Sequence, residues 1–296
     1  MSGIIPGLIS IWKILWRVGL FFITWGLFLS LFFVPFGPKL MKWQQTSPIE
    51  AKLCIELASI LTILLATWLM TKFVDHRPFL SIGLNIDNIY WDAFNGFTIG
   101  IAWLGISIGI LWSFGWASPV EPIGFSWSIL TGSIIAMLLN VITQELLLCG
   151  FIFQTIRSRS NVITAIIISA LLFSGYHFGA FNGNWLPALN VFGAGVLFCV
   201  AYVITGKLWF PIAIHLTWDV LLGPVLGLTE SGKSDLGGSW KMFTINGPSL
   251  FTGGNFGLEG GLIVTITTTI ILVIIYYFYY RKIIQTPVTD SSYISN

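Results

Sequence analysis

The chain has 296 residues, a formal net charge of +2, 55% hydrophobic residues and only 9% charged ones. A soluble domain carries about 25% charged residues, so this composition excludes an ordinary soluble enzyme and indicates a polytopic membrane protein. The net charge is too small to argue for a nucleic-acid partner, and none is expected. All three cysteines, Cys54, Cys149 and Cys199, fall in apolar runs, where they read as free thiols rather than a disulfide or a metal knuckle.

The first predicted span covers about 14–36, too long for a signal-peptide core, and reads as a retained helix. A polar link with Gly37, Pro38, Lys39, Lys42 and Pro48 leads to a second span over about 52–72, with Glu56 expected at the interface. A polar elbow follows at 74–84, then a short amphipathic piece at 88–91 and a third span at about 94–112. A turn rich in Pro and Gly (Pro119, Pro122, Gly124) precedes the fourth span, about 129–156, which ends at Arg157 and Arg159. The fifth covers about 162–178, the sixth 186–205 and the seventh 209–226, with Gly206-Lys207 as a tight turn between the last two. A Gly-rich loop over 227–261 leads to an eighth span at about 262–280. Each span approaches the roughly 20 residues that cross a hydrocarbon core.

The expected fold class is therefore all-α, a polytopic helical bundle of about eight transmembrane helices. The expected division is 1–125 for the N-terminal helices and elbow, and 126–296 for a core plus a final helix. With the N-terminus inside, Lys13, Arg17, Lys72, Arg77, Arg157, Arg159, Lys207, Arg281 and Lys282 are cytoplasmic, against Lys39, Lys42, Lys52, Lys233 and Lys241 outside. The bias favours both termini in the cytoplasm. No internal repeat is visible, which counts against an inverted-repeat transporter.

Four ionisable residues lie within apolar runs: Glu145 in the fourth span, His177 in the fifth, and His215 and Asp219 in the seventh. A carboxylate at such a depth costs roughly 2.5–3.5 kcal/mol on insertion scales and marks a functional candidate. His215 and Asp219 are spaced i, i+4 and share a helix face. At 1.5 Å per residue, Glu145 lies roughly 18 Å from the Arg157 end, and His215 and Asp219 roughly 12 and 18 Å from the Lys207 end. His177, roughly 24 Å along its own span, falls near the same level. A water held among Glu145, His177 and His215 would serve amide hydrolysis, with or without a metal. The alternative is that these side chains only bond one helix to another, as Asn140 and Asn190 are expected to do.

Two motifs, Phe173-Ser-Gly-Tyr-His177 and His215-Leu-Thr-Trp-Asp219, follow Gln144-Glu145-Leu-Leu-Leu-Cys149-Gly150 in order on successive spans. In this the chain resembles the CAAX protease and bacteriocin-processing (CPBP) family of intramembrane proteases, also called the abortive-infection family. That family carries Glu-Glu-x-x-x-Arg, then Phe-x-x-x-His, then His-x-x-x-Asn or Asp. The resemblance implies a four-helix catalytic core over the fourth to seventh spans and hydrolysis of peptide bonds in membrane-associated or lipid-modified proteins. It implies Glu145, His177, His215 and Asp219 as catalytic residues. His177 and His215 are candidate ligands should a zinc ion be used. It also implies a peptide or membrane-protein substrate, the lipid bilayer as surroundings and a bacterial cell membrane as location.

The first motif departs from the pattern. The family's water-activating Glu is Gln144 here, an amide that cannot take the proton, and the Arg position is Cys149. Either Glu145 has become the base, or the chain is a catalytically silent member that binds a peptide or partner protein, in immunity or regulation. A proton-relay transporter is a weaker third reading.

Overall fold

The computed structural model describes residues 4–123, 125–232 and 241–285. Gly124 and Lys233 lie outside the described residues, as do the side chains of Lys241, Arg281 and Lys282. The described residues are 81% helical. Its principal helices are α1 (Ile4–Thr46), α2 (Pro48–Leu69), α3 (Ile89–Ser113), α4 (Trp127–Glu145), α5 (Val162–Tyr176), α6 (Trp185–Thr205), α7 (Trp209–Val220) and α8 (Leu262–Gln285).

Several boundaries differ from the sequence reading. The polar link after the first span is helical, because α1 runs through Pro35 and Pro38 to Thr46. A proline removes one backbone bond, and long apolar helices accommodate that by local adjustment. The break comes at Ser47, which Pro48 holds outside the helical region (φ −143°) while itself opening α2. The expected amphipathic piece at 88–91 is the first turn of α3. The Pro- and Gly-rich turn forms a strand, β1 (Ala117–Ile123), paired antiparallel with β2 (Lys241–Ile245) from the Gly-rich loop. Proline is tolerated in this strand because an isolated two-stranded ribbon has edge positions that need no N–H.

Among the described residues, six helical stretches are long and apolar enough to cross a membrane: 10–46, 48–74, 89–113, 127–157, 185–205 and 262–279. The remaining two, Val162–Tyr176 and Trp209–Val225, are shorter apolar helices. These are the helices that carry His177 and the His215–Asp219 pair. At 1.5 Å per residue a 15-residue α5 is roughly 22 Å long, short of a hydrocarbon core of about 30 Å. The longer helices flank them. Large apolar side chains such as Leu31, Val34 and Phe278 are exposed on the outside, as a lipid-facing surface requires.

The bundle is organised around α7, which is buried along nearly its whole length from Phe210 to Asp219. Gly96 and Gly100 of α3, four residues apart, let the two backbones meet. A Cβ at Gly96 would lie 2.5 Å from the Ala213 Cβ, and one at Gly100 2.6 Å from the Thr217 Cβ. This small-x-x-x-small seam is a packing device of membrane helices. Between α3 and α8 a hydroxyl pair, Ser107 and Thr267, closes at 2.8 Å in the interior. Glu56 is buried instead of interfacial, and accepts a 3.0 Å bond from Asn140 Nδ2 that ties α2 to α4. The interior of a bilayer offers it no water, so a partner on a neighbouring helix replaces the interface.

One end of the bundle gathers the basic residues that alternate in sequence. Asp75 in the elbow pairs with Arg17 at 2.9 Å and Arg77 at 3.4 Å, and Lys207 lies 3.7 Å from Asp92. Arg77 also donates to Gln154 Oε1 at 2.6 Å. Burial and the neighbouring Arg17 guanidinium push Arg159 below its ordinary value.

Candidate active site

After Glu145 the fourth span changes winding. Residues Leu146–Phe153 form a wide, π-type turn before the helix resumes at Gln154–Arg157. Such segments shift the facing of the residues around them and recur at functional sites. The segment 143–153 is buried throughout.

Glu145 is fully buried, and its Oε1 lies 3.0 Å from His215 Nδ1. The other ring nitrogen of His215 lies 3.5 Å from Asp219 Oδ2, one helical turn along α7. One imidazole thus stands between two carboxylates, each from a motif singled out in the sequence. Its ring stacks on Phe198 (centroids 4.5 Å apart, 17° between planes), which fixes its plane. Ionised carboxylates only accept, so the arrangement that satisfies both is an imidazolium with a proton on each nitrogen.

His177 follows the last residue of α5, and its Nδ1 is 2.9 Å from the Phe173 carbonyl oxygen. A carbonyl only accepts, so a proton sits on Nδ1. The Phe173 ring stands edge-on to both histidines, 4.7 Å from His177 and 6.0 Å from His215. Gly195 of α6 makes room for it, since a Cβ there would lie 3.2 Å from that ring. The Phe of the Phe-x-x-x-His motif therefore spaces the two imidazoles.

A cavity of about 60 Å³ opens beside these groups. At the roughly 10–15 Å³ each water needs by this measure, it holds several waters and must widen for a peptide. Gln144, His177, His215 and Asp219 line it, whereas Glu145 does not. Glu145 stands behind His215, so of the four expected site residues three reach the cavity and the fourth reaches it through an imidazole. Gln144, which as an amide cannot be the base and whose role the sequence leaves open, faces the cavity. Its Nε2 donates to Asn140 Oδ1 at 2.5 Å, and its Oε1 is buried with no hydrogen-bond partner. Cys149 is far from any ion-pair role: its Sγ lies 4.0 Å from Cys199 Sγ in the apolar interior.

The sequence reading missed the contribution of the loop after α7. Glu230, Ser231 and Glu259 also line the cavity. Glu259 accepts from Trp218 Nε1 at 2.9 Å and from the Ser231 amide and hydroxyl at 2.5 and 3.0 Å. Asn190, expected as an interhelical bonder, donates to the Glu259 and Gly261 carbonyls at 2.7 and 2.9 Å and accepts from Thr265 at 2.6 Å. It fastens the loop to α6 and α8. The sequence signal was the carboxylates Glu230, Asp235 and Glu259 in a Gly-rich loop, but nothing there indicated that the loop folds inward.

Zinc needs three or more donors converging with free lone pairs. His215 has both nitrogens turned to carboxylates, and among the described residues no group of three His, Cys, Asp or Glu side chains is arranged to hold a metal. The donor set does not fit, and no step below passes through a metal.

The fold and this site define an integral membrane helical protein with a water-sized polar cavity between its helices. A family model described as "Type II CAAX prenyl endopeptidase Rce1-like" matches residues 126–221, the stretch from the start of α4 to the end of α7. Over this stretch the chain is similar to the CAAX protease and bacteriocin-processing family, a protease family. No curated protein and no solved structure matches the chain.

Proposed function

We propose that the protein is an intramembrane endopeptidase that hydrolyses peptide bonds of membrane-associated or lipid-modified proteins. The observation that carries this is an imidazole held through Nδ1 by the Phe173 carbonyl, His177, on the same cavity as an imidazole flanked by two carboxylates, His215. The first can accept a proton and the second can donate one. In the proposed reaction a water lies against Gln144 Oε1, which accepts one of its O–H bonds. Its oxygen attacks the scissile carbonyl carbon while its other proton passes to His177 Nε2. The developing oxyanion takes a hydrogen bond from His215 Nε2–H in place of the long 3.5 Å contact to Asp219. His177 then returns its proton to the departing amine as the C–N bond breaks. Glu145 stabilises the imidazolium from behind, and Asp219 orients it.

The deciding experiment is cleavage of a membrane-tethered reporter by the purified chain in proteoliposomes. His177→Gln is expected to lower the rate by about 10²–10⁴-fold, the usual worth of a general base. Cleavage within a few-fold of the parent would sink the assignment. The departures at Gln144 and Cys149 favour a second reading, a silent member that binds a peptide or partner protein. In that case the parent itself gives no product.

The orientation completes the proposal, with both termini in the cytoplasm. Reporter fusions after Arg159 and after Arg281 are expected to read as cytoplasmic, because the Arg17, Arg77 and Lys207 side chains gather at that end. A fusion at Asn246 is expected to read as exported. The reverse pattern would invert the orientation while leaving the cavity intact.

A further inference from the structure

The end of the bundle where the apolar stretches 48–74 and 127–157 stop carries more positive charge than it pairs. Arg17, Arg77 and Arg159 gather there around one carboxylate, Asp75. Its Oδ1 takes Arg17 Nε at 2.9 Å and its Oδ2 takes Arg77 Nε at 3.4 Å, so both oxygens are engaged. Arg159 folds back on its own turn, with Nη1 donating to the Thr155 carbonyl at 3.2 Å and to Ser158 Oγ at 2.6 Å. Burial and then the Arg17 guanidinium push it below its ordinary value, and among the described residues Asp75 is the carboxylate that acts against them. Guanidinium groups stay charged in proteins. Three positive charges thus share one negative charge, an excess of two.

Much of the donor capacity of these groups is also unused among the described residues. Arg17 bonds through Nε alone, which leaves both of its Nη groups. Arg159 leaves Nε and Nη2, and Arg77, whose Nη1 serves Gln154 and Ser81, leaves Nη2. The scaffold under them is ordered. Phe21, one turn along α1 from Arg17, stacks on Phe151 with centroids 4.3 Å apart and 15° between planes. Gln154 links Arg77 to the Tyr202 hydroxyl, to which its Nε2 donates at 2.6 Å. The level is that of lipid headgroups, because Arg77 and Arg159 come just after residues 74 and 157, where two membrane-length stretches end. On α2 the partly exposed Trp68 indole carries Lys72 Nζ 4.8 Å above its ring, an interfacial pairing at the same end.

We propose that Arg17, Arg77 and Arg159 form a phosphate site that holds the headgroup of an anionic phospholipid. Guanidinium forks match phosphate oxygens in geometry as well as in charge. A zwitterionic headgroup brings its own cation to a place already in positive excess, so a headgroup of net charge −1, as in phosphatidylglycerol, is preferred. Free phosphate offers the same oxygens, but a lipid reaches the site at its own depth and has α1 for its acyl chains to lie along, where Ile23 and Leu27 are exposed. Occupancy braces the junction of α1, the elbow and Gln154. That junction closes the wide turn at 146–153, whose other end is Glu145. None of the three arginines lines the cavity, so the site stands whether or not the chain cleaves peptides.

The test uses the full chain in a neutral detergent. The probes are short-chain phosphatidylglycerol and phosphatidylcholine with identical acyl chains, and their Kd values are read by native mass spectrometry. At roughly fivefold per basic group beside an anionic headgroup, phosphatidylglycerol is expected to bind about tenfold tighter or more. Arg17→Gln combined with Arg159→Gln is expected to bring the ratio to within about twofold. Lys39→Gln combined with Lys42→Gln, two exposed positions toward the other end of α1, is expected to leave it unchanged. Equal binding of the two lipids to the parent overturns the proposal. So does a loss of preference in the lysine pair as large as in the arginine pair, which would make the effect one of overall charge. Should the arginine pair not fold, Arg159→Gln is read alone, since its bonds stay within its own turn. It is expected to lower the ratio about fivefold, and an unchanged ratio overturns the proposal. Inorganic phosphate is the third probe, and binding as tight as that of phosphatidylglycerol would mark a soluble-anion site and overturn the lipid assignment.

Discussion

Glu145→Gln is expected to reduce reporter cleavage by about 10²–10⁴-fold while leaving the protein folded. Glu145 does not touch the cavity, so its effect must travel through His215, whose Nδ1 it holds at 3.0 Å. An amide in its place keeps the volume and removes the charge. It also allows an N–H to face the ring, in which case His215 can no longer carry a proton on both nitrogens. The oxyanion donor is then lost. A role in packing alone predicts lower thermal stability with activity per folded molecule unchanged, so the rate is normalised to folded protein. A variant that keeps activity within about threefold of the parent overturns the assignment. Gln144→Glu is the informative partner experiment. It places an ionisable carboxylate on the cavity wall beside His177, and the rate is expected to rise, since a second proton acceptor then faces the water.

Gly100→Leu is expected to abolish activity and to lower stability by about 1–3 kcal/mol or more, the cost of overpacking a closed interface. The added Cβ would meet Thr217 Cβ at 2.6 Å and the Ile214 carbonyl at 3.0 Å, so α3 and α7 must separate. Helix α7 carries both His215 and Asp219, and moving it by an ångström withdraws the imidazole from Glu145. Gly105→Leu and Gly109→Leu are controls on the same helix, because a Cβ at either has nothing within 4 Å. Thermal unfolding and cleavage are measured for all three. Equal tolerance at 100, 105 and 109 would show that the α3–α7 seam does not position the site.

The two variants probe different levels of the molecule, one the charge behind an imidazole and the other the backbone approach that sets its position. Together they separate chemistry from scaffold. A loss in Glu145→Gln with an intact thermal transition assigns the charge, whereas a loss in Gly100→Leu with a lowered transition assigns the seam.

What the amino-acid sequence determined by itself was the solvent, the element type and the identity of the polar groups. Long apolar runs admit only helices when water is absent, because every backbone group must be bonded within its own segment. The cost of an ionisable side chain among them singled out Glu145, His177, His215 and Asp219. The i, i+4 spacing of His215 and Asp219 is local, so their contact was legible too. Tertiary structure alone decided which side of His215 each carboxylate occupies, and that Gln144 rather than Glu145 faces the cavity. Those outcomes depend on the wide turn at 146–153 and on how α4 meets α7, neither of which follows from a helical period. It also decided that Glu230 and Glu259 return to the cavity from a loop that reads as solvent-facing. Gly, Ser and Thr carry no periodicity, and the partners that hold this loop, Asn190 and Trp218, lie dozens of residues away in the chain. Glu56 is the counterpart on the other side: its burial depends on Asn140, 84 residues distant, and no local pattern encodes such a pairing.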